Sequence, residues 1–356
     1  ERRLNGELPK GWESVLPTFP ADPKGMATRA SSGKVLTALS NTIPELVGGS
    51  ADLTPSNNTK FDGAGDFEKD NLAGRYLHFG VREHAMGAAL NGMTLYGGLI
   101  PYGGTFLIFS DYMKPAIRIA AISHIPSIFV FTHDSVGLGE DGPTHQPIEH
   151  LAALRAVPNL TLIRPADANE VVQAWKYAIE NRRGPIALAL TRQAVPTFEP
   201  SSFPGVEKGA YVLKDFGRKP EIVLMASGSE VSLVYGAAQK LADEGRGVRV
   251  VSFPSWRLFE AQSEEYRESV LPRRIKARLA VEAAASLGWE RYVGSEGKIL
   301  ALDHYGASAP AKIIFENFGF TVENVLAHAR LLLPRKRLLS QQKRRTVNTK
   351  RLVRRK

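Results

Sequence analysis

Residues 127–134 read Ser-Ile-Phe-Val-Phe-Thr-His-Asp, a short apolar run that ends directly in two polar side chains. A run of this length, rich in aromatic and β-branched residues, is typical of a buried strand in a parallel sheet. Ligands of open α/β sheets bind beyond the carboxyl ends of the strands. We therefore expect His133 to lie at a ligand-binding edge.

A glycine-rich, acidic loop follows this strand. Its notable residues are Gly137, Gly139, Glu140, Asp141, Gly142 and His145. Glycines allow backbone and polar side chains to approach a small phosphorylated or polyhydroxylated ligand closely. The alternative is an ordinary surface loop with a solvated pair of acids.

Upstream, Glu83 opens a segment whose small and apolar residues recur at helical spacing. A carboxylate at a helix start is favoured by the helix dipole, and a buried one needs a donor or a proton. The alternative is a helix charge paired with Arg82 or His84. Phe106, Phe109 and Tyr112 are spaced three apart, so in a helical turn they would share one face. Such a face could be a wall for a flat heterocycle or simply part of the core.

Strand and helix patterns alternate along residues 25–198. Strands are predicted at 46–49, 127–132, 160–163 and 186–190, and helices at 27–39, 84–95, 111–123, 147–155 and 168–181, with a polar loop at 58–72. A second unit, 220–333, has strands at 221–226, 248–253, 278–282 and 299–302. In it, Ser227-Gly228-Ser229-Glu230 is predicted to cap a helix that ends at Gly245. The chain is therefore predicted to be α/β, with two doubly wound, mainly parallel-sheet domains.

The remaining segments are predicted to be connections. Residues 1–24 and 199–219 are rich in Pro and Gly and are predicted to be linkers. Strand-turn-helix punctuation recurs in the second domain without a polar constellation like that of the first. We interpret the second domain as structural and dimer-supporting, rather than as a second active site.

Composition excludes several classes of protein. The chain has 356 residues, 43% of them hydrophobic and 23% charged, as in ordinary soluble globular proteins. No apolar run reaches the length of a membrane span, and there is no signal-peptide pattern. The absence of cysteine excludes disulfides and thiol catalysis. The first residue is Glu1 rather than Met, which suggests a truncated or processed chain.

The formal net charge of +10 comes from one end of the chain. Residues 334–356 hold 11 of the 46 basic residues and no acid, which leaves 35 basic against 36 acidic residues in the body. This basic tail is predicted to be a disordered extension. The alternative is a polybasic contact for RNA or a membrane, so nucleic acid is a partner only through the tail.

The motifs resemble those of the transketolase family. The resemblance rests on Arg-Glu-His-Ala-Met at 82–86, Gly-Gly-Thr-Phe at 103–106, Thr-His-Asp-Ser at 132–135 and Gly-Glu-Asp-Gly-Pro-Thr-His-Gln-Pro-Ile-Glu at 139–149. Further matches occur at 48–57, 164–170, 190–193 and 306–310. The resemblance extends over roughly residues 3 to 333. It implies a pyrimidine-binding domain for thiamine diphosphate, followed by a transketolase C-terminal-like domain.

The family transfers a two-carbon ketol unit from a ketose phosphate to an aldose phosphate, in the pentose phosphate pathway and the Calvin cycle. The resemblance implies that Glu83 contacts the ring nitrogen of the thiamine diphosphate pyrimidine. It also implies that Phe106, Phe109 and Tyr112 stack on that ring, and that Asp52 lies in the cofactor neighbourhood. A carboxyl suits the first task because it can share a proton with a base in a dry site.

The resemblance also implies a sugar-phosphate site. Phosphate and sugar would be held by Arg29, Ser56, His133 and Arg192. Asp141 would bond a substrate hydroxyl beside the reacting carbon, and His145 would contact the sugar and its intermediate. Glu83, His133 and His145 are the predicted catalytic residues.

One expected motif is missing from this sequence. The family holds the cofactor diphosphate and Mg²⁺ or Ca²⁺ with Gly-Asp-Gly followed by Asn, in a domain that precedes these two. We find no such pair and predict no metal ligand in this chain. Because the two halves of the site meet across a dimer interface, we expect a homodimer or pairing with a diphosphate-binding domain. The chain alone should bind cofactor weakly and turn over nothing.

Three alternatives remain open. The first is a related thiamine enzyme, such as deoxyxylulose-phosphate synthase or a 2-oxoacid dehydrogenase β subunit, although the phosphate-binding residues with His133 and Asp141 disfavour both. The second is a non-catalytic or regulatory fragment of the same fold, and the third is a nucleic-acid binder acting through the tail. The resemblance places the protein in the cytosol or the plastid stroma, neither secreted nor in a membrane.

Overall fold

The first half of the chain folds around a six-stranded sheet. A computed structural model describes residues 1–199, 205–217 and 219–334, so nearly all of the predicted basic tail lies outside the described residues. The first strands are β1 (Asp22–Ala27), β2 (Leu46–Ser50), β3 (Tyr76–His78), β4 (Ile100–Phe106), β5 (Ile128–Thr132), β6 (Thr161–Ile163) and β7 (Ile186–Leu190). The six strands from β2 to β7 are parallel and lie in the order β3-β2-β4-β5-β7-β6.

Helices cover both faces of this sheet. They are α1 (Thr28–Ser40), α2 (Thr54–Asn57), α3 (Glu83–Tyr96), α4 (Ser110–Ile122), α5 (His150–Arg155) and α6 (Ala168–Glu180). Every residue of β5 is buried, and successive side chains of a strand point to opposite faces. Ile128 and Val130 belong to the apolar cluster that includes α1 and α6, whereas Phe129 and Phe131 belong to the cluster that includes α3 and α4. This double burial explains the unbroken apolar run of β5.

Glycine allows α3 to lie close to the sheet. A Cβ atom at Gly103 of β4 would lie 2.7 Å from Leu90 Cδ1 and 3.0 Å from Met86 Sδ, both in α3. That approach brings the first turn of α3, with Glu83, to the carboxyl edge of the sheet. Glycine and Pro101 also make β4 hard to predict from the sequence, because both residue types are depleted in strands. The predicted strand set lacked β4, and because β3 was not predicted either, it lacked both neighbours of β2.

The prediction for this half also lacked β1 and β8 (Ala194–Thr197), so four of the eight strands that the structure describes here were missing. β1 pairs antiparallel with β8 to form a separate two-stranded sheet. The predicted linker 1–24 thus enters a strand, and it also contains a 3-10 helix, Trp12–Val15, with Trp12 buried. Asn169 of α6 ties this segment down, since it accepts from Phe19 N at 3.0 Å and donates to Phe19 O at 2.9 Å.

The second half forms a five-stranded sheet. Its strands are β9 (Tyr211–Phe216), β10 (Ile222–Ala226), β11 (Val248–Ser252), β12 (Arg278–Val281) and β13 (Lys298–Leu300), in the order β13-β12-β10-β11-β9. The four strands from β10 to β13 are parallel, and β9 is an antiparallel edge strand beside β11. The prediction of a linker over 199–219 is therefore wrong at 211–216. Lys214 and Asp215 are polar, as is common in an edge strand. These polar residues made the strand look like a loop in the sequence.

Helices complete the second half. They are α7 (Val231–Asp243), α8 (Trp256–Glu260), α9 (Glu264–Val270), α10 (Glu290–Val293), α11 (Ala311–Asn317) and α12 (Val322–Leu332). One apolar cluster includes buried residues of both sheets, so the two halves share a core. None of the helices in the described ranges is long and apolar enough to span a bilayer.

Candidate active site

The carboxyl edge of the first sheet gathers most of the predicted site residues. Phe106 ends β4, His133 follows β5, and Arg192 lies two residues beyond β7. Asp52 lies two residues beyond β2 with a left-handed φ of 62° and is exposed. Because β2, β4, β5 and β7 are consecutive in the sheet, these residues meet at one edge.

Glu83 is the first residue of α3 and is buried, with 7% of its surface exposed. Its carboxylate makes no hydrogen bond or ion pair with any residue that the structure describes. The alternative pairing with Arg82 is not found, because Arg82 Nη1 donates to Phe79 O at 3.0 Å instead. His84 is exposed and makes no ion pair in the described ranges. The hydrogen-bonding capacity of the Glu83 carboxylate is therefore available to a group outside this chain.

The three aromatic residues form a continuous wall, although not on one helix. Phe106 ends β4, Phe109 ends the 3-10 helix Leu107–Phe109, and Tyr112 lies in α4. The Phe106 and Phe109 rings are parallel within 6°, with centroids 5.7 Å apart, and Tyr112 lies 6.1 Å from Phe109. The single helical face that we predicted is therefore wrong, because the chain changes from strand to helix between these rings. Tyr112 is 65% exposed, so the wall opens outwards.

His133 is buried at the centre of the edge. Its φ of 61° turns the chain sharply after β5, and its ring stacks on Phe106 with centroids 3.7 Å apart. Burial, followed by the charges of Arg29 and Arg192 and by the neighbouring His145, lowers the pKa of His133 to about 3. His133 is therefore a neutral imidazole at physiological pH.

A chain of hydrogen bonds fixes the tautomer of His133. Ser50 Oγ donates to Asn57 Oδ1 at 2.8 Å, and Asn57 Nδ2 donates to Thr132 Oγ1 at 2.7 Å. Thr132 Oγ1 lies 2.8 Å from His133 Nδ1, and we assign the hydroxyl as the donor because Thr132 Oγ1 already accepts from Asn57. Assigned from this network, the ring proton is on Nε2, which is left to donate to a ligand.

The supporting roles of Asn57 and Thr132 were missed in the sequence. Both residues lie in motifs that we quoted, but they lie 75 residues apart along the chain. Only the pairing of β2 and β5 on either side of β4 brings them together. Thr132 is the last residue of β5, at the ligand-facing edge, and this position was the available signal. Asn57 ends the short helix α2 and carried no such signal.

Two guanidinium groups lie beside this imidazole. Arg29, in the first turn of α1, is half-buried and donates from Nη1 to the Ser56 carbonyl oxygen at 2.5 Å. Burial lowers the pKa of Arg29, and the nearby charge of Arg192 lowers it further. Arg192 itself is exposed. Two neighbouring positive charges favour the binding of an anion beside them.

The loop after β5 carries the two remaining predicted residues. His145 is half-buried and presents its ring edge to Phe109, with centroids 5.6 Å apart, while Thr144 Oγ1 lies 2.9 Å from His145 Nδ1. Asp141 is exposed. In the described residues, no hydrogen bond or ion pair joins Asp52 or Asp141 to another predicted site residue.

The second half of the chain holds this loop in place. Buried Gln146 donates from Nε2 to Gly139 O at 2.8 Å and to Ala307 O at 3.0 Å. The Ser308 hydroxyl donates to Glu140 O. Residues 139–146 are thus attached to residues 307–308, which lie in the domain that we predicted to be structural and dimer-supporting.

A buried charge cluster also links the halves behind His133. Arg164 is fully buried and donates from Nε to Asp134 Oδ2 at 2.8 Å and from Nη1 to Glu230 Oε2 at 2.5 Å. Glu282 accepts two bonds of 2.7 Å from Arg155. Burial raises the pKa of Glu282, but Arg155, the charge of Arg164 and the hydrogen bond from Ser227 together lower it to about 2.

This cluster corrects two predictions about the second half. Glu230 bonds Arg164 and no helix N–H, so the predicted role of 227–230 as a helix cap is wrong; these residues form a 3-10 turn before α7. The second half also does possess a polar constellation. It is shared with the first half, so only the folded chain reveals it.

Comparisons with known proteins find matches for both halves of the chain. The family model described as "Transketolase, pyrimidine binding domain" matches residues 24–197, and the model described as "Transketolase-like TK C-terminal domain" matches residues 209–321. A transketolase of Halalkalibacterium halodurans is 53% identical over 339 residues, which is 94% of this chain and 51% of that protein. The chain thus spans about half the length of the curated relatives that it matches.

Two solved structures illustrate the structural similarity of this chain to transketolases. Transketolase from Leishmania mexicana superposes with a TM-score of 0.88 at 48% identity, over 93% of this chain and 48% of that one. A chain titled "Split gene transketolase, inactive beta4 tetramer" superposes with a TM-score of 0.71 at 25% identity. That match covers 87% of this chain and 99% of the other, so one separate polypeptide corresponds to nearly the same part of the family.

Proposed function

Because this chain belongs to the transketolase family, we propose that it supplies the pyrimidine-binding and sugar-phosphate half of a ketol-transfer site. The whole site would move a two-carbon ketol unit from a ketose phosphate to an aldose phosphate. The observation that carries the proposal is the carboxyl edge of the first sheet. There, a buried acid without a partner, an aromatic wall, a neutral histidine and two arginines are gathered.

The residues of this edge fit thiamine diphosphate. When bound, this cofactor supplies the nucleophilic carbon that ketol transfer needs. Phe106, Phe109 and Tyr112 would stack on the pyrimidine, and Glu83 would hold a proton at the ring nitrogen. The fit rests on the vacant hydrogen-bonding capacity of the Glu83 carboxylate and on the open side of the wall at Tyr112. Asp52 lies at the same edge and is proposed as part of the cofactor neighbourhood.

The cationic side of the edge fits a sugar phosphate. Arg29 and Arg192 would bind the phosphate group, with the Ser56 hydroxyl beside them. His133 would donate from Nε2, because its hydrogen-bond chain occupies Nδ1. Asp141 would accept from a substrate hydroxyl, and His145, held against Phe109, would contact the sugar. Neutral His133 adds no charge to a site that the two arginines already make positive.

We propose that the other half of the site comes from a diphosphate-binding domain, together with Mg²⁺ or Ca²⁺. Side chains on α3 and α4 offer an apolar surface for such a partner. The exposed members of this surface are Leu95, Tyr96, Tyr112, Ile119 and Ile122. The similarity to a chain whose title calls it inactive supports an inactive state for this half alone. A homodimer and a location in cytosol or plastid stroma stay predictions.

The test is calorimetric titration of thiamine diphosphate with Mg²⁺ into this chain, alone and mixed with a separately made diphosphate-binding domain. A ketol-transfer assay follows on each sample. We expect tight binding and turnover only in the mixture. Turnover by the chain alone would refute the half-site proposal, and an intact fold without binding in either sample would refute the transketolase function.

A further inference from the structure

A second cleft lies between the two halves, at the opposite edge of the first sheet. It has a volume of about 610 Å³ and is lined by the segment from α5 to β6, by residues 181–184 and by α8. Strands β6 and β7 begin near this cleft, at Thr161 and Ile186, whereas the candidate active site lies at the ends of the strands. Its size falls within the range typical of small-molecule sites, about 300–1,000 Å³.

Four arginines line the cleft: Arg155, Arg183, Arg257 and Arg291. Arg155 is neutralised by Glu282, with two bonds of 2.7 Å. The other three are exposed, and none has a carboxylate within ion-pair distance in the part of the chain that the structure describes. Three arginines without an ion-pair partner among the described residues, around one cleft, create a positive electrostatic potential there.

The acid that lines the cleft does not cancel this charge. Glu260 pairs with Arg267 at 3.1 Å. Neutral polar groups complete the lining. Asn159 accepts from Arg257 Nη2 at 3.1 Å, which orients that guanidinium, and the side chains of Thr161 and Tyr177 add hydroxyl groups. Guanidinium forks with hydroxyl neighbours match the oxygen atoms of a phosphate ester.

The aromatic residue of the cleft is already occupied. The Arg155 guanidinium lies 4.0 Å from the centroid of the Trp256 ring, and Trp256 is 9% exposed. A nucleobase would therefore find no free indole face on which to stack. The lining favours a compact anion with a polar body over a nucleotide.

We propose that this interdomain cleft is a second anion site, which binds a small phosphorylated sugar or acid through Arg183, Arg257 and Arg291. It is separate from the edge that carries Arg29 and Arg192. The proposal does not depend on ketol transfer, because it rests on the charge and shape of the cleft alone.

The test is calorimetric titration of inorganic pyrophosphate at constant ionic strength. The starting protein carries Arg29→Gln and Arg192→Gln, so that phosphate binding at the candidate active site is removed. Into this background we introduce Arg183→Gln, Arg257→Gln and Arg291→Gln together. The matched control is Arg274→Gln, an exposed arginine outside the cleft that has no ion pair in the described residues. Thermal melts confirm that each variant is folded.

We expect the triple change to weaken pyrophosphate binding at least about tenfold, and Arg274→Gln to leave it unchanged. Absence of binding in the background protein would overturn the site, and so would equal affinity of the triple variant. An equal loss with Arg274→Gln would show diffuse surface charge and overturn it as well. Ribose 5-phosphate should bind at least as tightly as AMP; tighter binding of AMP would overturn the assignment to non-nucleotide phosphates.

Discussion

Two regions of the molecule use the same kinds of charged side chains in opposite ways. At the interface between the halves, Arg164 and Glu282 are fully buried and bonded to partners within the chain. At the carboxyl edge of the first sheet, Glu83 is buried without a partner, and Arg192 is exposed with no ion pair in the described residues. The paired charges stabilise the fold, and we propose that the unpaired ones bind a ligand.

The difference follows from the cost of desolvation. A buried charge is tolerated when hydrogen bonds and an opposite charge replace water, as around Arg164. Burial alone would lower the pKa of Arg164, yet Glu230, Asp134 and Glu282 raise it. Glu83 has no such compensation inside the chain. The two regions should therefore respond oppositely to substitution, one in stability and the other in activity.

The largest effect is expected for Arg164→Met. The change would leave Asp134 and Glu230 buried without their cation, and removal of one partner from such a cluster costs about 3–5 kcal/mol. The measurement is urea denaturation at pH 7. Arg274→Met, at an exposed position, should shift the free energy of unfolding by less than about 0.5 kcal/mol.

Lowering the pH sharpens this prediction. The orphaned carboxylates of the Arg164→Met variant can be neutralised by protons, so part of its deficit should disappear at pH 5. A variant as stable as the parent chain at pH 7 would show that the cluster contributes nothing to the union of the halves.

The next effect should appear in activity alone. Glu83→Gln keeps the shape of the side chain but removes its capacity to share a proton, so ketol transfer by the reconstituted site should fall about 10²-fold or more. The urea midpoint should stay that of the parent, because Glu83 has no partner to lose. Glu68→Gln, at an exposed position, is the control. Full activity of the Glu83 variant, or a large loss of stability, would erase the contrast between the two regions.

The sequence was informative where structure is local. The strand before His133 was predictable, because an apolar run of five residues is buried on both faces. Its placement at the ligand edge also followed, because parallel strands end together. The aromatic wall was found for a wrong reason, since strand and helix alternate within it.

The interface was not predictable from local pattern. Arg164 and Asp134 are 30 residues apart, Arg164 and Glu230 are 66 apart, and Arg155 and Glu282 are 127 apart. Each acid or arginine alone looks like a surface residue. Only the folded chain shows that these charges neutralise one another, so the sequence led us to predict only a structural and dimer-supporting role for the second half.

A substitution of Gln146 tests how far the second half controls the conformation of residues 139–146. Gln146→Met keeps the length of the side chain but leaves the carbonyls of Gly139 and Ala307 without their donor, which should cost about 1–3 kcal/mol. In the reconstituted enzyme, the KM for sugar phosphate should rise more than kcat falls, because Asp141 and His145 lie in the loosened loop. Gln173→Met on α6 is the control. An unchanged KM would show that Gln146 contributes to the stability of the fold and not to substrate binding.

The smallest effect concerns His133, which is buried at the edge but titrates in the unfolded chain. In the folded chain its pKa is about 3, whereas an unfolded histidine binds a proton below about pH 6.5. Between these values the unfolded state holds more protons, so the free energy of unfolding falls as the pH falls. The contribution is about 1 kcal/mol between pH 6.5 and 5.5.

In phosphate-free buffer, His133→Asn should weaken the pH dependence of stability by that amount, whereas His304→Asn, at an exposed position, should not. A slope unchanged by His133→Asn would mean that the imidazole already carries a proton at this edge, and that burial and the two arginines do not keep it neutral.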